Sequence, residues 1–346
     1  MLKISENISL AAYTTLGIGG PARWFVEAAS EAEIAEACDW AHGKGAPLFV
    51  LGGGSNLLIA DEGFPGLVLH VGLKGIERDG ELFRVSAGED WDKFVGRAVG
   101  LECAGIECLA GIPGTVGGTP VQNVGAYGQE VASVIERVRA IDLGERAFVE
   151  FSNVECGFAY RRSRFNSSDR GRYLVTRVDY RLRQNGSPLI AYQDLKAQFA
   201  GSAKTPTLAE TADAVRSIRR SKGMLLVEGD PDCRSAGSFF KNPAVTEEVA
   251  ERVRNSAASR GIPVRIFPAD DGLVKIPAAW LIEQAGFAKG YAMGAAGISS
   301  RHTLALMNRG GATAKEILGL AERIRAAVET QFGIRLEMEP EMVGFA

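Results

Sequence analysis

One stretch constrains this chain more than any other: Ala110-Gly-Ile-Pro-Gly-Thr-Val-Gly-Gly-Thr-Pro-Val-Gln-Asn-Val-Gly-Ala-Tyr-Gly-Gln-Glu130. It holds five glycines and two prolines between Gly111 and Gly125, and almost no charge before Glu130. Glycine lets a ligand approach the main chain closely, while Pro113 and Pro120 fix their own φ and stiffen the path. A flexible linker would be rich in serine and polar residues. This stretch instead interleaves Ile112, Val116, Val121 and Val124. The pattern predicts a rigid, irregular backbone wrapped around a large flat or phosphate-bearing ligand, with N–H groups aimed inward.

A second glycine-rich turn, Val50-Leu-Gly-Gly-Gly-Ser-Asn56, follows the short apolar run Pro47–Leu51. It lacks the G-x-G-x-x-G spacing, and Leu57–Ile59 continues as apolar chain, so neither a Rossmann nor a Walker loop is indicated. Three glycines exceed what a tight turn between strands needs. Gly52, Gly53 and Gly54 therefore read as further N–H donors to a phosphate, with Ser55 and Asn56 adding side-chain contacts.

Elsewhere the chain is ordinary. Its 346 residues suggest two or three domains, and it is 46% hydrophobic and 23% charged. A formal net charge of −3 without a Lys/Arg block argues against nucleic acid as the main partner. No run has the length of a membrane span, and five scattered cysteines with three histidines suggest reduced thiols and no metal centre. Capping boxes at Ser30–Glu33, Thr207–Glu210 and Thr313–Glu316 predict helices, as do Asp90 before Trp91, Phe94, Val95, Ala98 and Val99, and the ranges 246–260 and 277–285. Runs 67–71, 82–85 and 173–183 predict strands, the last alternating Leu174, Thr176, Val178, Tyr180 and Leu182 against Arg177, Asp179, Arg181 and Arg183. A mixed first part and a helix-rich second part place a boundary near residue 200.

Two further clusters stand out. Tyr160-Arg-Arg-Ser-Arg-Phe165 packs three arginines into four positions, and reads equally as a solvated basic face or as an anchor for a planar anion. Gly237-Ser238-Phe239-Phe240-Lys241-Asn242-Pro243 is not a hydrolase elbow, and no triad follows from residue types.

Taken in order, these pieces resemble the UDP-N-acetylenolpyruvoylglucosamine reductases. The matching residues are Thr15–Gly20, Leu51–Leu57, Ala87–Glu89, Ile112–Gly128, Tyr160-Arg161, Ala236–Pro243, Ala279–Gln284 and Glu339-Pro-Glu341, covering nearly the whole chain. The resemblance implies an α+β protein with an FAD-binding domain of the PCMH/vanillyl-alcohol-oxidase type over 1–200, split into subdomains near 67. It implies a smaller α+β substrate-binding domain over 201–330 and a tail, 331–346, returning to the flavin domain. FAD would lie against Gly52, Gly53, Gly54, Ser55, Asn56, Ile112, Pro113, Gly114, Gly117, Gly118, Asn123, Gly125 and Ala126. NADPH would be the hydride donor and a nucleotide-sugar bearing an enolpyruvyl ether the substrate. The family's catalytic arginine, serine and glutamate map onto Arg161, Ser238 and Glu341, with Glu339 an alternative because this tail carries an extra Glu-Met. Tyr127, Tyr192, Arg219, Lys222, Asn242 and Gln284 fall where the family holds substrate. The expectation is a cytoplasmic bacterial enzyme, a monomer rather than an oligomer, with the composition pointing away from a metal and from nucleic-acid or membrane partners. An oxidase of the same fold and a non-catalytic nucleotide-sugar binder are the competing readings.

Overall fold

Several helices begin where local capping chemistry starts them. The Ser30 hydroxyl accepts the Glu33 N–H at 3.2 Å and opens α1 (Glu31–Gly43), which buries Ile34, Ala37, Cys38 and Ala41. Asp90 does the same for α2 (Trp91–Gly100) through the Lys93 N–H at 2.8 Å. The computed structural model describes residues 2–201, 204–269 and 271–345. Two compact units make up the chain: Met1–Ile8, Pro21–Gly54 and Phe64–Ser221 form the first, and Ser9–Gly20, Ser55–Gly63 and Lys222–Ala346 the second.

Among the described residues the first unit contains two larger sheets and two short two-stranded pairings. One orders Ser5–Ser9, Pro21–Ala28, Phe64–Val71 and Leu48–Leu51, with Phe64–Val71 parallel to both Pro21–Ala28 and Leu48–Leu51. α1 packs on Pro21–Ala28 and Phe64–Val71, where Val26, Ala28, Leu67, Leu69 and Val71 are buried, while the edge strand Ser5–Ser9 stays polar and largely exposed. The other is antiparallel and orders Ala147–Ser152, Ile135–Asp142, Tyr173–Arg181, Leu82–Ser86 and Ile76–Asp79. Tyr173–Arg181 is central, so the alternation expected of it is overridden. Val175 and Asp179 are buried as well, and Arg177 covers Asp179 through a 2.7 Å ion pair. The strand stops at Arg181; Arg183–Gln184 pairs separately with Cys103–Ala104. Trp91 and Phe94 of α2 pack on Phe83 and Tyr180, with ring centroids 5.2–5.9 Å apart.

Two more helices complete this unit, α3 (Gln193–Gln198) and α4 (Leu208–Ser221). The Thr207 capping box forms in both directions, at 3.1 Å and 2.7 Å. Ala212, Ala214 and Val215 enter the first unit's core, and Arg216 pairs with Asp92 at 2.8 Å. This packing carries the first unit to Ser221, beyond the division near 200 suggested by composition.

In the second unit, α5 (Glu247–Ser259), α6 (Ala278–Gln284) and α7 (Ala314–Phe332) accompany two small three-stranded sheets. The Thr313–Glu316 capping box opens α7, and Asp61 adds bonds from the Ala314 and Lys315 N–H groups at 2.7 Å and 3.1 Å. Phe239, Phe240, Leu281, Ile282, Ile317 and Ile324 are fully or almost fully buried at its core. The C-terminal strand Glu341–Val343 pairs in parallel with Leu57–Ile59, a segment that belongs to this same unit. Among the described residues no helix is long and apolar enough to cross a membrane.

Candidate active site

The glycine cradle lies in the first unit and is built by close backbone approach. A Cβ added to Gly53 would stand 2.5 Å from the Gly114 Cα, so the two glycine loops touch main chain to main chain. One added to Gly117 would stand 2.6 Å from the Ala87 Cβ. Gly54 (φ +61) and Gly114 (φ +127) adopt backbone conformations that other residues resist. Gly118 differs. Its φ is not positive, it is exposed, and a Cβ there would meet nothing within 4 Å. Neither folding nor packing demands glycine at 118, which leaves room for a ligand as the reason. Among the described residues, the amides of Gly53, Gly54 and Gly114 donate to no protein acceptor. Free amides on a rigid glycine surface suit an anionic dinucleotide such as FAD.

Supports under the cradle are specific. Thr115–Gly118 hangs from Glu89 and Ala87 by backbone bonds (Val116 N–H at 2.9 Å, Gly117 N–H at 2.8 Å). Below it the buried Tyr180 hydroxyl meets Thr119 Oγ1 at 2.6 Å. Asn123 is buried and fully engaged: Nδ2 donates to Glu130 (2.9 Å) and the Ala159 carbonyl (3.0 Å), and Oδ1 accepts the Ala132 N–H (3.1 Å). Its side chain shapes the loop from below. Ile112 and Pro113 lie half-buried on the cradle's course, and Gly125-Ala126 forms one strand of a hairpin.

The arginine run separates into three fates. Arg162 is exposed, while Arg164 binds Asp169 at 2.8 Å and stacks 4.1 Å above Phe151. Arg161, held at φ +55, turns to the cradle, where Nη2 donates to the Gly125 carbonyl at 2.7 Å. Tyr127 and Tyr192 meet edge to face with centroids 5.4 Å apart. Arg219 is buried in the same unit, donates to the Gly111 carbonyl at 2.9 Å, and interacts with Tyr127. Burial lowers its pKa, with Tyr127 and Asp92 opposing that shift.

The second unit carries the remaining candidates. Ser238 is half-buried on a taut segment: Phe239 and Phe240 are sunk in the core, and the Phe239 N–H donates to the Leu304 carbonyl at 2.8 Å. The Phe239 carbonyl accepts the Glu339 N–H at 2.9 Å, so Ser238 and the tail are backbone neighbours. Asn56 joins that arrangement: Nδ2 donates to the Glu339 carbonyl (3.2 Å) and its carbonyl accepts the Glu341 N–H (2.9 Å). Ser55, beside it, accepts a 3.5 Å bond from Thr15 Oγ1 at its carbonyl. Glu339 is half-buried and Glu341 exposed. Asn242 Oδ1 accepts the Ala278 N–H at 2.9 Å at the start of α6, which Gln284 ends. Lys222 is half-buried just beyond α4. A cleft of about 490 Å³ is lined by Thr15, Leu226, Cys233, Arg234, Asn308 and Arg309. Among the described residues no cluster of His, Cys, Asp or Glu could hold a metal ion.

Sequence reasoning passed over Glu107, which is fully buried under the cradle. Its signal was available: a lone carboxylate inside the apolar run Cys103–Ala110 needs partners.

Comparison with known proteins accords with this layout. Residues 22–146 match the model of an FAD binding domain, and the chain is an FAD-binding oxidoreductase of the PCMH-type fold class. Residues 230–343 match the UDP-N-acetylenolpyruvoylglucosamine reductase C-terminal domain. The reductase of Thermobifida fusca is 48% identical over 350 residues, covering 98% of each chain. That of Streptomyces coelicolor is 44% identical, over 99% of this chain and 90% of its own. The crystal structure of the Thermus caldophilus enzyme (MurB) is 28% identical with a TM-score of 0.69, covering 99% of this chain and all of its own. The chain belongs to the UDP-N-acetylenolpyruvoylglucosamine reductase family.

Proposed function

We infer that this protein reduces UDP-N-acetylglucosamine enolpyruvate to UDP-N-acetylmuramate in peptidoglycan precursor synthesis, with NADPH as hydride donor and FAD as bound cofactor. The observation that carries the cofactor is the contact of Gly53 with Gly114, which sets unengaged amides on a surface without side chains. Gly52–Asn56 and Ile112–Ala126 would hold FAD, and the first unit is its domain. Bound FAD supplies a two-electron hydride relay.

The chain's own groups account for the rest. Arg161 is a permanent forked cation, suited to the carboxylate and to the enolate charge that grows on it when hydride adds at the methylene carbon. Ser238 Oγ–H delivers a proton to the alpha carbon as general acid and is reprotonated from water. A serine hydroxyl is a weak acid, so the basic enolate must drive that transfer. Glu341 orients the carboxylate-enol end, its backbone fixed by the parallel ladder to Leu57. Tyr127, Tyr192, Arg219, Lys222, Asn242 and Gln284 contact the nucleotide-sugar, and the enzyme works as a cytoplasmic monomer.

One cuvette tests this reading. The purified protein is yellow, bleaches with anaerobic NADPH, and regains colour on addition of the enolpyruvyl substrate. Recovery with oxygen alone would indicate an oxidase, and a colourless protein that cannot be reconstituted with FAD would overturn the reading.

A further inference from the structure

Glu107 is a fully buried carboxylate with three donors around it, all in the first unit. Oε2 accepts the Gly105 N–H at 2.8 Å. Oε1 accepts twice, from Gln129 Nε2 at 2.7 Å and from the Leu189 N–H at 2.9 Å. The Gln129 side chain in turn accepts the Cys108 N–H at 2.8 Å. Burying a carboxylate is expensive unless its lone pairs are satisfied, so this arrangement calls for a reason beyond filling space.

The two segments that Oε1 joins supply one. Gln129 pairs with Ala126, and Tyr127-Gly128 is the two-residue turn between them, with φ of +50 and +89. Both turn residues have positive φ, the type I′ geometry of a tight hairpin, which leaves the Tyr127 ring little freedom of direction. Leu189 lies in the stretch 186–192, which forms no ladder. Two side chains tie it at Leu189: Glu107 takes its N–H, and Cys108 Sγ donates to its carbonyl at 3.1 Å. Three residues later comes Tyr192, 46% exposed and edge to face with Tyr127. Gly128 closes the contact, since a Cβ there would stand 3.3 Å from the Ala191 Cβ.

We propose that Glu107 is a positioning residue whose single oxygen Oε1 registers the Tyr127 turn against the Tyr192 segment, and so sets the affinity for the nucleotide-sugar. The proposal rests on the reading of those tyrosines as substrate contacts. Glu107 touches neither substrate nor cofactor; it acts through Gln129 and Leu189. An apolar residue at 107 would leave three N–H donors without acceptors and the 186–192 stretch held at Leu189 by Cys108 Sγ alone.

The test uses the FAD-loaded enzyme and Glu107→Gln, which keeps shape but replaces one acceptor oxygen with a donor. Amide exchange across 186–195 should rise about tenfold while peptides of the cradle, 111–118, stay unchanged. The KM for the enolpyruvyl substrate should rise about tenfold, with flavin reduction by NADPH at its normal rate. In a Tyr192→Ala background Glu107→Gln should shift KM by less than about twofold, because the route is already cut. Unchanged exchange in 186–195 overturns the proposal, as does a KM effect that persists undiminished without Tyr192. A normal KM in Tyr192→Ala alone overturns the substrate role of that tyrosine instead, and exchange then decides the clamp by itself. Should Glu107→Gln not accumulate folded, Gln129→Met cuts the link at the Tyr127 turn, and is judged by the same KM outcomes with amide exchange read across 126–130 in place of 186–195.

Discussion

Gly53 and Gly114 face each other so closely that a single added carbon on Gly53 would lie 2.5 Å from the Gly114 Cα and 2.9 Å from the Thr115 nitrogen. Every atom in the way is backbone, so no rotamer change relieves the clash. Gly53→Ala should therefore destabilise the fold by about 1–3 kcal/mol as well as weaken FAD binding. Gly118→Ala separates the two effects, since its Cβ meets no protein atom. We expect Gly118→Ala to leave the denaturant midpoint of the apoprotein unchanged and to raise the FAD Kd by about tenfold or more. Equilibrium unfolding and flavin titration of both variants check this. A Gly118→Ala protein with native FAD affinity would mean the cofactor does not approach the Val116–Gly118 turn.

The half-reactions divide the proposed acid from the scaffold. Ser238→Ala should leave flavin reduction by NADPH intact and slow enolpyruvyl turnover by about a hundredfold or more, the range of a lost general acid. Stopped-flow absorbance on each half-reaction reads this directly, and equal loss in both would remove Ser238 from the chemistry.

The two tail glutamates are distinguished by the same assay. Glu339 gives its N–H to the Phe239 carbonyl, next to Ser238, whereas Glu341 opens the strand paired to Leu57–Ile59. Their side chains therefore start from different backbone positions. Glu341→Gln should lower kcat for the oxidative half-reaction by about a hundredfold and Glu339→Gln by less than about tenfold. The reverse order would assign the role to Glu339.

What the sequence discloses here is what short-range physics controls. The boxes at Thr207 and Thr313 and the caps at Ser30 and Asp90 depend on residues three apart, and each appears where its spacing puts it. The glycine cradle was legible in composition, since a flexible linker with that much glycine would be polar and would not interleave valines. Edge strand Ile76–Asp79 reads Ile-Glu-Arg-Asp and shows no apolar period, because one edge and most of its side chains face solvent. The membership of α4 was hidden for another reason: an amphipathic helix displays that it has a core, and not which one. Pairing of Leu57–Ile59 with Glu341–Val343 joins segments far apart along the chain, and no local signal records it. Glu107 was equally invisible as a hub, because its partners Gln129 and Leu189 lie far along the chain.

The thiols should be unreactive in the folded protein. Burial pushes Cys108 and Cys156 up to about 12 and Cys38 to about 11, aided for Cys108 by Glu107 and for Cys38 by Asp39. Burial raises Cys103 and Cys233 as well. At pH 8 the thiolate fraction of the first three is about one in a thousand or less, and the thiolate is the nucleophile. A disulfide reagent at pH 8 should therefore find less than one fast equivalent in native protein and all five after denaturation. A full rapid equivalent in the native state would show one thiol to be accessible.

Acid should loosen the second unit at one identifiable cluster. Asp232, with its side chain 8% exposed, accepts from Ser299 (3.1 Å), Ser300 (2.8 Å) and Arg301 Nε (2.9 Å), and Asp230 pairs with the same guanidinium at 2.5 Å. Burial pushes the Asp232 carboxyl up, but the hydrogen bonds from Ser300, Arg301 and Ser299 together hold it below its ordinary value. For Asp230 the Arg301 hydrogen bond comes first and acts the same way. Both folded-state pKa values are depressed, so the pairing contributes in full above the unfolded carboxylate value of about 4 and fades as pH falls below it toward the folded values. Asp232→Asn should thus cost about 2 kcal/mol at pH 7, where a charged acceptor is lost opposite a half-buried cation and two hydroxyls. The gap between wild type and Asp232→Asn should narrow steadily below about pH 4. Urea denaturation across pH 3–8, a range set to span about one unit or more on each side of that value, measures both quantities. A gap that stays constant with pH would show that Asp232 carries no depressed carboxylate, and that its contribution is packing alone.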